Sequence, residues 1–303
     1  MGNEKDVLQK ALESYDDVFA DIVNGLIFRG RQVVQETSLE QARLRSFYDG
    51  EEGVREQERD AGKYWSNVRF RVALMNFENQ SDIDPDIPLR IVGYDGSAYR
   101  NQLYYEKGED GKRRRNRNPR YPVVTMVLYF GTKEHWKKPL SLHEVLVNIP
   151  DELKPYVNDF KVPVFEIAWL TEEEVTRFTS DFRIVADYFV QVRKSGDYVP
   201  TDMEVIHMEE LLRLMAKLTK DKRFEMAYRE CGKGKEKPKT MCEVLDRVED
   251  RGIQKGRILE YIDMKREDGE AEEKVKEKIV MRFGLTSEQA EKYMYGKIDV
   301  ANN

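Results

Sequence analysis

From Val68 to Gln80 the chain reads as a strand. Val68, Phe70, Val72, Leu74, Asn76, Glu78 and Gln80 fall on one side of it, because side chains alternate across a strand with period two. That side turns from apolar to polar at its C-terminal end. A half-buried strand over 68–78 is predicted, ending in a carboxylate and an amide carried on the face that its hydrophobic residues bury. Upstream, Leu8, Ala11, Leu12, Tyr15, Phe19, Ile22, Val23, Leu26 and Ile27 recur at helical spacing. They predict a helix over 6–28, with Gly25 a weak interruption. Residues 36–63 between them are polar and irregular, with Gly50 and Gly53 as breakers.

Downstream of a turn-rich link with Asp82, Asp84 and Asp86, a helix is predicted over 88–106, opening at Pro88, a favoured first helical residue. Arg90, Tyr94, Ala98 and Gln102 then share one face at i, i+4 spacing. Lys112–Arg120 is a basic loop. Tyr121–Phe130, between Pro122 and Gly131, has the near-continuous apolar character of a central strand covered on both faces. A short helix at 140–147 follows, then a strand at 162–169 that Pro163 assigns to an edge. Thr171 and Glu174 form a capping box for a helix over 172–193.

Strands separated by helices predict an α/β fold, a core of mixed sheet flanked by helices. The Gly196–Asp202 stretch is the expected boundary, dividing the chain into 1–196 and an all-helical region, 197–303. The latter is predicted to hold helices at 203–219 and 222–230, a Gly/Lys-rich linker at 231–239, and helices at 240–250, 253–267 and 270–283. Gly284 ends the last of these, and Thr286 with Gln289 caps a final short helix.

Composition narrows the class. Charged residues make up 36% of the 303 residues, above the usual quarter, yet 16 Tyr, 13 Phe and 3 Trp are aromatics that a disordered chain lacks. No run of about 18 apolar residues occurs, so no membrane span is expected. The polar start, Met1–Asp6, has no signal-peptide core behind it, and Asp6 stands where a myristoylation motif wants Ser or Thr. Cys231 and Cys242 are too few for a disulfide framework, which points to a reducing cytoplasm. The net charge of −6 does not suit a protein that coats duplex DNA, but it is compatible with an acidic metal site beside a local basic surface.

Several motifs are set aside. Asp82, Asp84 and Asp86 open like a calcium loop, but Ile87 and Gly93 stand where such a loop needs Gly and Glu. His135, His143 and His207 have no metal-ligand spacing. The Glu78–Gln80 pair is different, because it has an acidic partner upstream. Asp60 lies 18 positions before Glu78, which is room for a turn between neighbouring strands. Two carboxylates can hold a divalent metal that activates water and neutralises phosphate charge.

Asp60, Phe77-Glu78-Asn79-Gln80, Ile87-Pro88-Leu89-Arg90, Tyr94-Asp95, Tyr99 and Gln102 together resemble the Rpn family of recombination-promoting nucleases, of the PD-(D/E)XK superfamily. The likeness extends to Phe19-Ala20-Asp21 with Asn24, Val127–Gly131 with Trp136, Ser180–Arg183 and Met241-Cys242-Glu243. The resemblance implies a PD-(D/E)XK-like core and divalent-metal-dependent DNA cleavage, linked to recombination, mobile elements or defence. It implies Asp60 and Glu78 as metal carboxylates for Mg2+, Mn2+ or Ca2+, and Gln80 where the superfamily usually has lysine. A helix-borne acid completes such sites, and the Phe19-Ala20-Asp21 context favours Asp21 over Asp17. Arg90, Tyr94 and Gln102 would brace the carboxylates or contact DNA, and Arg113, Arg114 and Arg115 would track phosphates. Asn76 departs from an expected glycine.

The expected function is a cytoplasmic, metal-dependent DNA endonuclease with Asp60, Glu78, Gln80 and Asp21 as catalytic residues and C-terminal helices that self-associate. The alternative is a weak or inactive DNA-binding or interaction protein that retains the nuclease fold. Gln80 keeps that alternative open, since a neutral amide hydrogen-bonds but carries no charge.

Overall fold

The computed structural model describes residues 12–42, 45–50, 53–58, 60–67, 71–108, 110–146, 148–219, 221–230 and 238–295, with backbone alone at 45–50, 53–58 and 230. Residues 1–11 of the expected start and first helix, Val68, Arg69 and Phe70 of the expected strand, and Cys231 with the linker through 237 lie outside the described residues.

One mixed sheet organises the fold. Its strands run in the order β1 (Leu39–Gln41), β4 (Ala61–Ser66), β5 (Arg71–Gln80), β8 (Val123–Tyr129), β9 (Val164–Glu166). β4 is antiparallel to β5, while β8 is parallel to both β5 and β9. β2 (Arg45–Gly50) and β3 (Gly53–Glu58) form a separate hairpin. The stretch expected to be irregular is therefore mostly strand. Its strands are short and rich in charged residues, so no apolar alternation announces them.

β5 is an interior strand, not a half-buried one. Ala73, Met75 and Phe77 are buried on one face, where Phe77 meets Phe19 of α1 (Asp16–Leu26) at 4.4 Å between ring centroids. On the other face Leu74 packs with Ala98 of α2 (Ile87–Asn101) and Val123 of β8. Two helical layers thus sandwich the sheet, and β8 is covered on both faces as its apolar run predicts. β9 sits at the sheet edge, consistent with Pro163.

α2 stops five residues short of the predicted end, because Gln102 turns away to bond the chain entering β8. The amide of Gln102 donates to Tyr121 O and accepts from Tyr121 N, each at 3.0 Å. Between them, β6 (Tyr105–Lys107) and β7 (Arg113–Arg115) form a two-stranded ribbon where a basic loop is predicted. A short α3 (Leu142–Val145) follows.

The predicted helix at 172–193 is two helices, α4 (Glu172–Val175), with the expected capping box, and α5 (Phe182–Ser195). The break is held by Asp21, whose carboxylate accepts from the backbone N–H of Thr179 (2.9 Å) and Ser180 (2.9 Å) and from both hydroxyls. Gly25 admits the Phe178 ring against α1, where a Cβ would come within 2.3 Å of it. Gly196, at φ +80°, closes α5 in the left-handed conformation that favours glycine.

The chain divides into two compact units, Met1–Cys231 and Gly232–Asn303. The division falls beyond Gly196–Asp202, because α6 (Met208–Leu218) and α7 (Lys222–Glu230) remain with the sheet. His207, just before α6, stacks on Tyr15 at 3.7 Å and sets Nε2 3.0 Å from Asp17. Asp181 accepts from the backbone of Ile206 and His207, and Phe224 packs edge-on to Tyr188.

In the second unit, α8 (Met241–Glu267), α9 (Glu272–Phe283) and α10 (Ser287–Tyr295) enclose Ile258, Ile262, Val275, Ile279, Ala290 and Met294. α8 runs unbroken where two helices are predicted, since it tolerates Gly252 and Gly256 at about 1 kcal/mol each relative to Ala. Gly284 and the Thr286–Gln289 capping box lie where predicted. No helix among the described residues is long and apolar enough to cross a membrane.

Candidate active site

Register brings Asp60 and Glu78 together. Ala61 pairs with Phe77 as the last pair of the β4–β5 register, and Asp60 is the residue just before it, near the end of β5 that carries Glu78. Asp60 Oδ2 accepts from the backbone N–H of Asn79 at 2.8 Å, which fixes the carboxylate beside the end of β5. Glu78 is 2% exposed, and a buried carboxylate requires a countercharge. Arg90, from the first turn of α2, supplies it. Its Nη2 bonds Glu78 Oε1 and lies 3.4 Å from Tyr94 Oη, while Nη1 donates to Asp84 at 2.7 Å. Burial opposes the charge on Arg90, but Glu78, Tyr94 and Asp84 outweigh it and raise the guanidinium's pKa. Burial, with the charge of Glu78, also raises the Tyr94 phenol. Asp84 belongs to the supposed calcium loop, and its second oxygen accepts from Asp86 N.

Gln80 shares the Glu78 face, as period two requires, and its side chain has no hydrogen-bond partner among the described residues. Asn76, on the same face, donates to Thr125 Oγ1 (3.3 Å), which donates to Asp95 (2.6 Å). The amide that replaces an expected glycine therefore ties β5 to β8 and α2.

On the opposite face the structure supplies an acid that sequence reasoning missed. Glu13, in a single 3-10 turn before α1, is 2% exposed. Its Oε2 accepts from the Asn79 side chain at 3.0 Å, and its Oε1 has no hydrogen-bond partner among the described residues. Burial pushes its pKa up to about 7; the Asn79 bond opposes this and the Asp60 charge adds to it. Asn79 thus joins Glu13 and Asp60, through its side chain and its backbone respectively. No sequence signal marks Glu13, because the chain leaves helical register at Tyr15.

Other expected site residues lie elsewhere. Asp21 does not join the site, since its carboxylate is committed to Thr179 and Ser180. Gln102 is buried and clasps Tyr121, so it braces the sheet. Arg113, Arg114 and Arg115 lie on the exposed ribbon, and Arg114 pairs with Asp110 at 2.6 Å.

The donors around Asp60 and Glu78 are all oxygens, which suits a hard cation. Among the described residues, no three His, Cys, Asp or Glu side chains converge on one ion. Mg2+ commonly takes only one or two carboxylates and completes its shell with water and substrate phosphate, so a two-carboxylate set fits such an ion.

A mixed five-stranded sheet between helical layers defines an α/β protein. The model of the family described as putative transposase, YhgA-like, matches residues 67–222. The chain belongs to that family, which supports a transposase- or nuclease-related role. No curated protein and no solved structure matches it.

Proposed function

We propose that the chain is a divalent-metal-dependent endonuclease that hydrolyses phosphodiester bonds in DNA, acting in the cytoplasm. The observation that carries this reading is the buried, arginine-held Glu78 at the end of β5, with the Asp60 carboxylate fixed on the N–H of the next residue, Asn79. Asp60 and Glu78 would hold the ion. Bound Mg2+ or Mn2+ supplies water activation and charge neutralisation at the phosphate. Gln80, with its side chain unengaged, hydrogen-bonds the scissile phosphate or the incoming water. Arg90 and Tyr94 orient Glu78. Glu13 is a positioning acid that acts on Asp60 through Asn79. Its carboxyl is about half protonated near neutral pH, so binding a cation nearby favours release of that proton.

Incubating the full chain with supercoiled plasmid and Mg2+ or Mn2+ tests the reading. Relaxed and linear products are expected, with Glu78→Ala losing them. A plasmid left intact with every metal, or a Glu78→Ala chain that cuts as well as the parent, would overturn it. That outcome would favour the second reading, a DNA-binding protein without hydrolysis, for which Gln80 in place of lysine is the specific argument.

A further inference from the structure

The β6–β7 ribbon divides its charge by face. Cross-strand partners share a face of an antiparallel pair. Tyr105 pairs with Arg115, Glu106 with Arg114 and Lys107 with Arg113. One face therefore carries Tyr105, Lys107, Arg113 and Arg115, three cations and an aromatic with no acid. The opposite face carries Glu106 and Arg114, and it is neutralised locally by the Arg114–Asp110 pair and a 2.7 Å bond from Asn116 to Glu106. Among the described residues, no carboxylate pairs with Lys107, Arg113 or Arg115. Over 104–120 the sequence holds seven basic side chains against three acidic ones, in a chain whose net charge is −6.

The ribbon stands clear of the sheet on a firm root. All six strand residues are exposed, Tyr105 at 59%, and Arg113 lies 5.6 Å from the Tyr105 ring centroid. At the root, Asn116 is buried and its N–H donates to Tyr104 O. Arg120 bonds the carbonyls of Gln102 and Asn116, and Gln102 clasps Tyr121. A free-standing two-stranded ribbon fits the major groove of B-DNA, where arginine pairs bidentately with the O6 and N7 of guanine.

We propose that this ribbon docks in the major groove of duplex DNA, with the Tyr105/Lys107/Arg113/Arg115 face toward the bases, and confers a preference for guanine. The proposal takes the polymer from the endonuclease reading, but its test does not depend on cleavage.

Fluorescence anisotropy in EDTA, with labelled duplexes and the full chain, reads binding alone. The parent is expected to bind a G·C-containing duplex more tightly than an A·T-only duplex or the matching single strand. The double variant R113A/R115A should lose at least about tenfold in affinity and lose the G·C preference, with its thermal melting unchanged. Arg114→Ala, on the neutralised face, should lose no more than about threefold. Replacing guanine by 7-deazaguanine should weaken the parent and leave R113A/R115A unaffected.

The proposal is overturned if R113A/R115A binds the duplex as the parent does. It is equally overturned if the parent prefers single strands, ignores DNA, or is displaced as readily by polyglutamate as by unlabelled DNA. Plasmid cutting with unaltered binding by R113A/R115A would sink the ribbon alone. Loss of duplex binding by R113A/R115A, with no cutting under any metal, would sink the hydrolytic reading alone.

Discussion

The two ends of α2 handle charge in opposite ways. At its start, Arg90 and Tyr94 lie against buried Glu78, and each charge has a specific partner. Beyond its end, Lys107, Arg113 and Arg115 face solvent and pair with no carboxylate among the described residues. Burial makes an unpaired charge expensive and a paired one well defined in position. Exposure leaves a charge screened but available to a polyanion. On the proposed reading, the first end would fix atoms for chemistry and the second would meet the polyanion.

The comparison breaks most visibly at Asp60. Asp60→Ala should lower plasmid cutting a hundredfold or more, the scale of losing one directed electrostatic contact, while duplex binding in EDTA persists. Equal loss of both would mean that the two ends are not separate.

Glu13 comes next. Its carboxyl holds a proton more tightly in the folded chain, with a pKa near 7 against 4.5 unfolded. Between those values the native state binds more protons, so its contribution to stability is complete below about 4.5 and is lost as pH rises through 7. Glu13→Gln should remove this loss. In EDTA at pH 8 it should be more stable than the parent by about 3 kcal/mol, the difference vanishing by pH 4.5. Urea denaturation at the two pH values checks this, and parallel curves would show that Glu13 titrates normally.

Asp21→Ala should destabilise the fold by about 2–3 kcal/mol, because the buried N–H of Ser180 and the part-buried N–H of Thr179 lose their acceptor. A fall in cutting out of proportion to the loss of folded protein would return Asp21 to the site. The smallest effect is expected at Arg90. Its side chain is 39% exposed, so Arg90→Ala should destabilise by about 2 kcal/mol, below the range for a fully buried pair. Adding Glu78→Gln should recover part of that, since the stranded charge is then gone.

How much of this was legible in the sequence follows from the reach of each signal. Alternation identified β5 and the shared face of Glu78 and Gln80, and the spacing of Asp60 anticipated an adjacent strand. The i, i+4 rule aligned Arg90 and Tyr94 beneath that face. Periodicity could not tell that Gln102, on the same stripe, serves the root of the ribbon, since its partner Tyr121 lies across a hairpin. Asp21 is expected in the site only through the family resemblance of its Phe19-Ala20-Asp21 context, whereas here two N–H groups 158 and 159 residues away claim it. Glu13 was illegible for a related reason. Its burial is decided by Asn79, 66 residues away, and no local pattern encodes such a distance.

On the proposed reading, α2 would also act as a gauge. Arg90 and Asn101, its last residue, stand eleven residues apart along its axis, about 16 Å at 1.5 Å per residue. Base pairs rise about 3.4 Å, so that span corresponds to roughly five steps of duplex. A DNA molecule engaged at both ends would be broken at a set offset from the guanines gripped by the ribbon. Lengthening the helix by one turn should shift the cleavage position by a step or two.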